Sequence, residues 1–240
     1  MELFQMVVLR SNFGDSPDSI LALEFPETPG ARSRKVVTRS RARATGKYPS
    51  WKMGRMIQWE SKNELNAYRL LDANPVVRAF YEQPMVIRFR LDGIEQAHYP
   101  DTLVELVSSK ELWEIKPAAE AARPEYQART QLMVEALPDF GFTYRMVIAE
   151  DLAREPRLTN TLSLLKYGRQ AVSLFEREKV RQVLLKTGGL TWGDAISNVA
   201  GPRSRGLLAR LTLEGNLQLS IDEPLTQESR FVATAAFLGG

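Results

Sequence analysis

Asp101, Glu114 and Lys116 are the residues whose types and spacing could do chemistry together. Tyr99-Pro100-Asp101 is followed, after twelve residues, by Glu114-Ile115-Lys116. Two acids and a lysine so arranged can hold a divalent cation and a water beside a phosphodiester. Asp101 and Glu114 supply hard anionic oxygens, and the main-chain carbonyl of Ile115 could add a third. The cation would polarise the scissile phosphate and lower the pKa of its bound water. Lys116 would orient that water or stabilise the charge developing on phosphorus. An amine beside a metal can also shift toward neutrality and act as a base, and the sequence does not choose among these roles. Taken singly, Pro-Asp reads as a turn and Glu-Ile-Lys as a strand with a charged face. Their joint occurrence on adjacent strands is what points to phosphodiester hydrolysis.

The elements that must position these residues follow from periodicity and turn chemistry. Residues 60–73 read as a helix, with Leu65, Tyr68 and Leu71 at helical spacing and Asn74-Pro75 ending it. Residues 76–81 read as a short strand or turn. Residues 85–91 alternate, with Ile87, Phe89 and Leu91 on one face and Arg88 and Arg90 on the other, and Asp92-Gly93 signals a hairpin. A second strand carries Asp101, Leu103 and Val107. Ser108-Ser109-Lys110 turns the chain into a third strand over 112–116, which Pro117 stops. Side chains two apart share a strand face, so Glu114 and Lys116 point one way and Ile115 into the core. A hairpin closing around Ser108-Ser109 brings Asp101 beside Glu114. A helix over 124–136, with Pro124 in its first turn and Tyr126, Leu132, Met133 and Ala136 as its stripe, leads to a strand over 142–149. Antiparallel strands followed by such a crossover give an α/β fold, a mixed sheet flanked by helices.

After residue 150 the pattern changes to helices over 158–167, 172–186, 192–199 and 204–213, then a short strand over 217–221. Helices ending in a small hairpin suggest a winged-helix-like module. The expected organisation is an N-terminal segment and basic arm over 1–56, a catalytic domain over 57–150 and a mainly helical C-terminal domain over 151–240.

Composition narrows the chemistry. The 240 residues include no cysteine and a single histidine, His98. Disulfides and Cys/His zinc sites are therefore excluded, and a Ser-His or Cys-His catalyst would rest on His98 alone. Acid–base work falls to carboxylates and lysines, a ligand set suited to Mg2+ or Mn2+. No apolar run approaches the roughly 20 residues of a membrane helix, and no basic stretch followed by an apolar core opens the chain. The expected location is the cytoplasm. The net charge of +3 is unevenly spread. Arg32, Arg34, Lys35, Arg39, Arg41, Arg43, Lys47, Lys52 and Arg55 fall within residues 32–56 with no acid among them. Such a cluster attracts polyanions, double-stranded DNA first, with Arg32 to Lys47 as the expected phosphate contacts. The plainer alternative is a solvated basic arm.

The motifs Glu60-Ser61-Lys62-Asn63-Glu64-Leu65, Glu82-Gln83-Pro84, Tyr99-Pro100-Asp101 and Glu114-Ile115-Lys116-Pro117 carry a family resemblance. Over residues 50–150 the chain resembles the PD-(D/E)XK nucleases of the restriction-endonuclease-like fold, and more closely the TnsA endonucleases of heteromeric transposases. The later helices resemble, less specifically, the winged-helix C-terminal domain of that family. The resemblance implies a metal-dependent DNA endonuclease in which Glu64, Asp101, Glu114 and Lys116 are catalytic, with Glu64, Asp101, Glu114 and Ile115 at the metal. It implies nicking at the ends of a mobile element, beside a strand-transfer transposase and an ATP-dependent regulator. Tyr99 stands where many members carry threonine, which leaves Asp101 intact. Ser61-Lys62-Asn63-Glu64 is also a capping box, in which Glu64 bonds back to the helix start; Glu60, one turn earlier, is the fallback ligand. Two alternatives stay open: a standalone nuclease of the same fold in restriction, repair or phage biology, and a DNA-binding module with a degenerate metal site.

The remaining polar residues have blander expectations. His98 reads as packed or hydrogen-bonded, Glu105 as salt-bridged to an arginine, and Lys110 and Glu111 as turn charges. Gln83 could line the cleft. Arg129 is as readily a surface charge as a phosphate contact, and Arg203, Arg205 and Arg210 could lie along DNA or dock a protein.

Overall fold

Asp92 and Gly93 both take positive φ, 53° and 76°, and close the two-residue hairpin that their sequence announces. They lie in a computed structural model that describes residues 8–10, 17–28, 32–33 and 44–239. The chain divides into two units, one drawing on residues 1–68 and 77–152, the other on 69–76 and 153–240.

Along the chain the elements of the first part are β1 (Val8–Arg10), β2 (Ser19–Glu24), β3 (Gly46–Ser50), β4 (Arg55–Trp59), α1 (Lys62–Ala73), β5 (Val77–Glu82), β6 (Val86–Leu91), β7 (Ile94–His98), β8 (Thr102–Leu106), β9 (Lys110–Lys116), α2 (Ala118–Ala121), α3 (Pro124–Ala136), a 3-10 turn at Leu137–Phe140, β10 (Thr143–Ile148) and α4 (Ala149–Leu152). A four-stranded mixed sheet has the order β10-β9-β8-β5. In it β9 and β10 are parallel, joined through α2 and α3, and the other pairs are antiparallel. A second, antiparallel sheet has the order β1-β2-β6-β7. Residues 17–28 and 46–59 thus supply strands to this unit, so the segment 1–56 is not simply an arm.

The second strand expected to carry Asp101 is instead two strands in two sheets. β7 pairs with β6, and β8 pairs with β9. Tyr99-Pro100-Asp101 is the step between them, where Pro100 has no N–H to give a ladder. Val107 falls outside the strand and is exposed. The sheets share one core. Ile20 and Leu23 of β2, Ile87 and Phe89 of β6, Leu112 of β9, Leu132 and Met133 of α3 and Tyr144 of β10 are all buried in it. Each such side chain contributes roughly 1.5–3 kcal/mol on burial. Tyr68 of α1 stacks on Phe80 of β5 at 5.7 Å between ring centroids, tying the helix to the strand.

The second unit contains α5 (Arg157–Tyr167), α6 (Leu174–Thr187), β11 (Leu190–Thr191), α7 (Trp192–Ile196), α8 (Ser204–Leu213), β12 (Leu217–Gln218), β13 (Arg230–Ala233) and α9 (Ala235–Gly239), with the sheet order β11-β13-β12. Ser173 and Thr191 begin α6 and α7 with reciprocal capping boxes. Helix α8 is the core helix of this unit: Leu207, Leu208, Ala209, Leu211 and Leu213 are all buried. The strand β13, which the sequence pattern does not announce, pairs with both of the others. Among the described residues no helix is long and apolar enough to cross a membrane.

Candidate active site

The β8–β9 register sets the site. Thr102 stands opposite Trp113, so Asp101, one residue earlier, falls opposite Glu114. The Asp101 N–H donates to the Trp113 carbonyl at 3.0 Å, and its Oδ2 accepts the Ile115 N–H at 2.7 Å. Glu114 and Lys116, two apart on β9, share a face, and Lys116 Nζ lies 2.9 Å from Glu114 Oε1. The Ile115 side chain is buried, as strand parity requires. Asp101, Glu114, Ile115 and Lys116 line one cleft of about 700 Å3, closed on other sides by Glu60 to Glu64, Gln83, His98 and Tyr126.

Burial and mutual charge shape the electrostatics of the pair. Burial, and then the Glu114 carboxylate, push the Asp101 carboxyl up to about 8. Burial acts to lower the Lys116 ammonium, but Glu114 and Asp101 outweigh it and hold it above its ordinary range. Glu114 Oε2 is buried and accepts no hydrogen bond from the described residues. Two facing carboxylates with a buried oxygen unsatisfied are a donor set that a hard divalent cation fits. Among the described residues, however, no three His, Asp or Glu side chains close together as a metal-holding group. Asp101 and Glu114 meet; Glu64 faces the same cleft but is held by its helix. Glu64 Oε2 accepts the Glu60 N–H at 2.8 Å, Oε1 accepts the Ser61 hydroxyl at 3.1 Å, and the Glu64 N–H donates to Ser61 Oγ at 3.1 Å. Glu64 therefore caps α1. Burial still raises its carboxyl above the usual range, against these bonds.

Besides Gln83, which lines the cleft as expected, its surroundings hold residues outside the motifs. His98 is buried, its Nε2 3.0 Å from the Tyr144 hydroxyl and 3.5 Å from Glu114 Oε2. Burial, then Arg129 and Lys116, hold its pKa well below the ordinary value, so the imidazole is neutral. Tyr126, expected in the core stripe of α3, lines the cleft instead. Arg129, one turn further on the same helix face, reaches Glu114 Oε1 at 3.2 Å. Their spacing of three on a helix that follows Lys116 was the available signal. Gln83 lines the cleft with φ of 45°, its N–H bonded to the Asp101 carbonyl at 2.9 Å and its amide to Glu60 at 3.0 Å.

Other expected residues have different partners. Glu105 faces Lys110 across the β8–β9 ladder at 3.5 Å, not an arginine. Lys110 and Glu111 belong to β9 rather than a turn, and Glu111 accepts from Trp113 and Arg145. In the basic segment, Arg32 bonds Glu60 and Gln58, and Arg55 forks onto Glu82 at 2.9 and 2.7 Å. Lys52 donates to the Val77 carbonyl at 2.6 Å, and Lys47 is exposed on β3. Arg34, Lys35, Arg39, Arg41 and Arg43 lie outside the described residues. In the second unit Arg203 pairs with Glu176 at 3.1 Å and Arg210 with Glu214 at 2.6 Å. Arg205 lies over the Tyr167 ring at 4.7 Å. No protein-family model matches this chain, and no curated protein matches it either.

Proposed function

We propose that the first unit is a metal-dependent DNA endonuclease of the TnsA type, with a restriction-endonuclease-like core, and that the second is winged-helix-like. The observation that carries this reading is the convergence of Asp101, from the step that enters β8, with Glu114 and Lys116 of β9 on one cleft. The sheet order β10-β9-β8-β5, with one parallel pair, supports the core assignment. The order β11-β13-β12 beside α6, α7 and α8 supports the second.

Asp101 and Glu114 would hold Mg2+ or Mn2+, with the Ile115 carbonyl and Glu64 as the further ligands. When bound, the ion supplies Lewis acidity and an activated water. Lys116, an ammonium in this setting, stabilises negative charge on the phosphoryl oxygens. The strand pairing fixes Asp101 against β9, so the carboxylates need little reorganisation to act. Basic residues of the 34–47 segment hold backbone phosphates, which makes binding weaken as salt rises; Arg32, engaged by Glu60 and Gln58, acts at the cleft instead. The nicked substrate is the end of a mobile element, with a strand-transfer transposase and an ATP-dependent regulator as partners.

The test is nicking of supercoiled plasmid by the purified protein in Mg2+, Mn2+ or EDTA, with and without such partners. Metal-dependent nicking that disappears in Asp101→Ala and Lys116→Ala, both melting like wild type, supports the reading. Nicking by the isolated protein on any DNA favours a standalone nuclease. DNA binding without nicking in any metal, partners included, leaves only a DNA-binding module.

A further inference from the structure

Glu114 is met by two cations at the same oxygen. Lys116 Nζ lies 2.9 Å and Arg129 Nη2 3.2 Å from Oε1. Their side chains are 21% and 20% exposed and both cations lie over the Tyr126 ring, Lys116 Nζ at 5.7 Å, so what separates them is the shape of the charged group and the stem that carries it. Lys116 sits on the cleft wall, on a flexible four-carbon stem. Arg129 comes from the middle of α3, its guanidinium 5.0 Å from the centre of the Tyr126 ring. A planar guanidinium packed on a ring and anchored to a helix has little freedom to leave its carboxylate. The Glu114 side chain is itself 5% exposed, and a buried carboxylate stripped of its counter-charge carries a desolvation penalty. If Lys116 were the only counter-ion, turning it toward a substrate phosphate would incur that penalty.

We infer that Arg129 is the standing counter-ion of Glu114, a positioning residue that leaves Lys116 free to turn to the substrate phosphate. This inference rests on the endonuclease reading for the role of Lys116, but the pairing of Arg129 with Glu114 has a consequence of its own. A divalent cation entering the cleft shares Glu114 with a fixed positive charge. Removing that charge must strengthen cation binding, while tying Lys116 to Glu114 must slow cleavage. A merely structural arginine would weaken both together.

The experiment compares full-length wild type, Arg129→Met and Arg129→Lys by Mn2+ calorimetry, thermal melting and Mn2+-dependent plasmid nicking. Arg129→Met is expected to bind Mn2+ about three- to tenfold more tightly and to nick roughly a hundredfold more slowly. Arg129→Lys, which restores the charge, should move both readouts back toward wild type. Mn2+ affinity that falls or stays unchanged in a folded Arg129→Met overturns the inference, as does nicking at the wild-type rate. Should Arg129→Met fail to fold, Arg129→Lys decides: near-normal affinity with substantial nicking supports the counter-ion role, and loss of nicking in the folded protein overturns it. A wild type that binds Mn2+ without nicking defeats the endonuclease reading, yet the affinity change still decides the role of Arg129. A wild type that binds no Mn2+ removes the inference itself.

Discussion

Asp101 accepts the Ile115 N–H on its side chain at 2.7 Å while its own N–H reaches the Trp113 carbonyl at 3.0 Å. It is therefore bound to β9 on either side of Glu114, and the two carboxylates face each other by main-chain geometry. Asp101→Asn keeps an oxygen for the Ile115 N–H and removes the charge. It should slow nicking by at least about a hundredfold. Above about pH 8, where the Asp101 carboxyl is ionised, the metal-free melting temperature should rise, because a repulsion between buried like charges has gone; at lower pH it should hold. A fall in melting temperature matching the loss of activity would assign Asp101 to the fold alone.

The same pair makes metal-free stability depend on pH in a definite direction. The Asp101 carboxyl sits at about 8 in the folded protein, against about 3.9 when unfolded. The folded state thus binds the proton more tightly, and the slope of stability with pH is negative between those values. Stability from this group is complete below about pH 4, declines toward about pH 8 and is level above. Subtracting the melting curve of Asp101→Asn isolates it from the other carboxylates. Mn2+ competes with the proton, so it should raise the wild-type melting temperature more at pH 8 than at pH 6. A flat difference curve would show that neither burial nor Glu114 raises the Asp101 carboxyl.

How much of this is legible in the sequence depends on range. Strand parity and the stop at Pro117 are local, and they suffice to set Glu114 and Lys116 on one face of β9 and Ile115 on the other. The helix at Pro124–Ala136 is announced by its proline and stripe. Pairing partners are another matter. Nothing near Ile20 says that β2 joins β6, and nothing near His98 says that β7 and β8 part company, although Pro100 marks the place. The arginines of α8 suggest a surface, yet Leu207, Leu208, Leu211 and Leu213 carry the burial. Arg129 is ambiguous in sequence because a helix stripe does not say which neighbour it faces; only the turn of α3 back over β9 supplies Glu114.

Glu64 fits both a cap and a ligand by sequence, and the two roles can be separated. Glutamine fills the same capping position. Glu64→Gln should keep stability within about 0.5 kcal/mol of wild type, whereas Glu64→Ala leaves the Glu60 N–H without its acceptor, at about 1 kcal/mol, while the Ser61 cap itself remains. If the carboxylate also serves the metal, Glu64→Gln will bind Mn2+ less tightly while melting normally. Unchanged Mn2+ affinity in that variant would leave Glu64 as a cap only.

The basic segment separates in the same way. Arg32 is engaged by Glu60 and Gln58, and Glu60 in turn holds Gln83 at 3.0 Å on the cleft wall. Arg32→Ala should therefore act through the cleft, changing nicking more than DNA affinity. Replacing Arg39, Arg41 and Arg43 together with glutamate should do the reverse. Every phosphate left without its arginine lowers the slope of log affinity against log salt by about 0.9, so three of them flatten it by nearly three. The weakening should be largest at low salt and equal for unrelated DNA sequences, since phosphates carry no base information. Filter binding or anisotropy across a salt series measures it, and a slope unchanged by the triple reversal would take these arginines off the DNA.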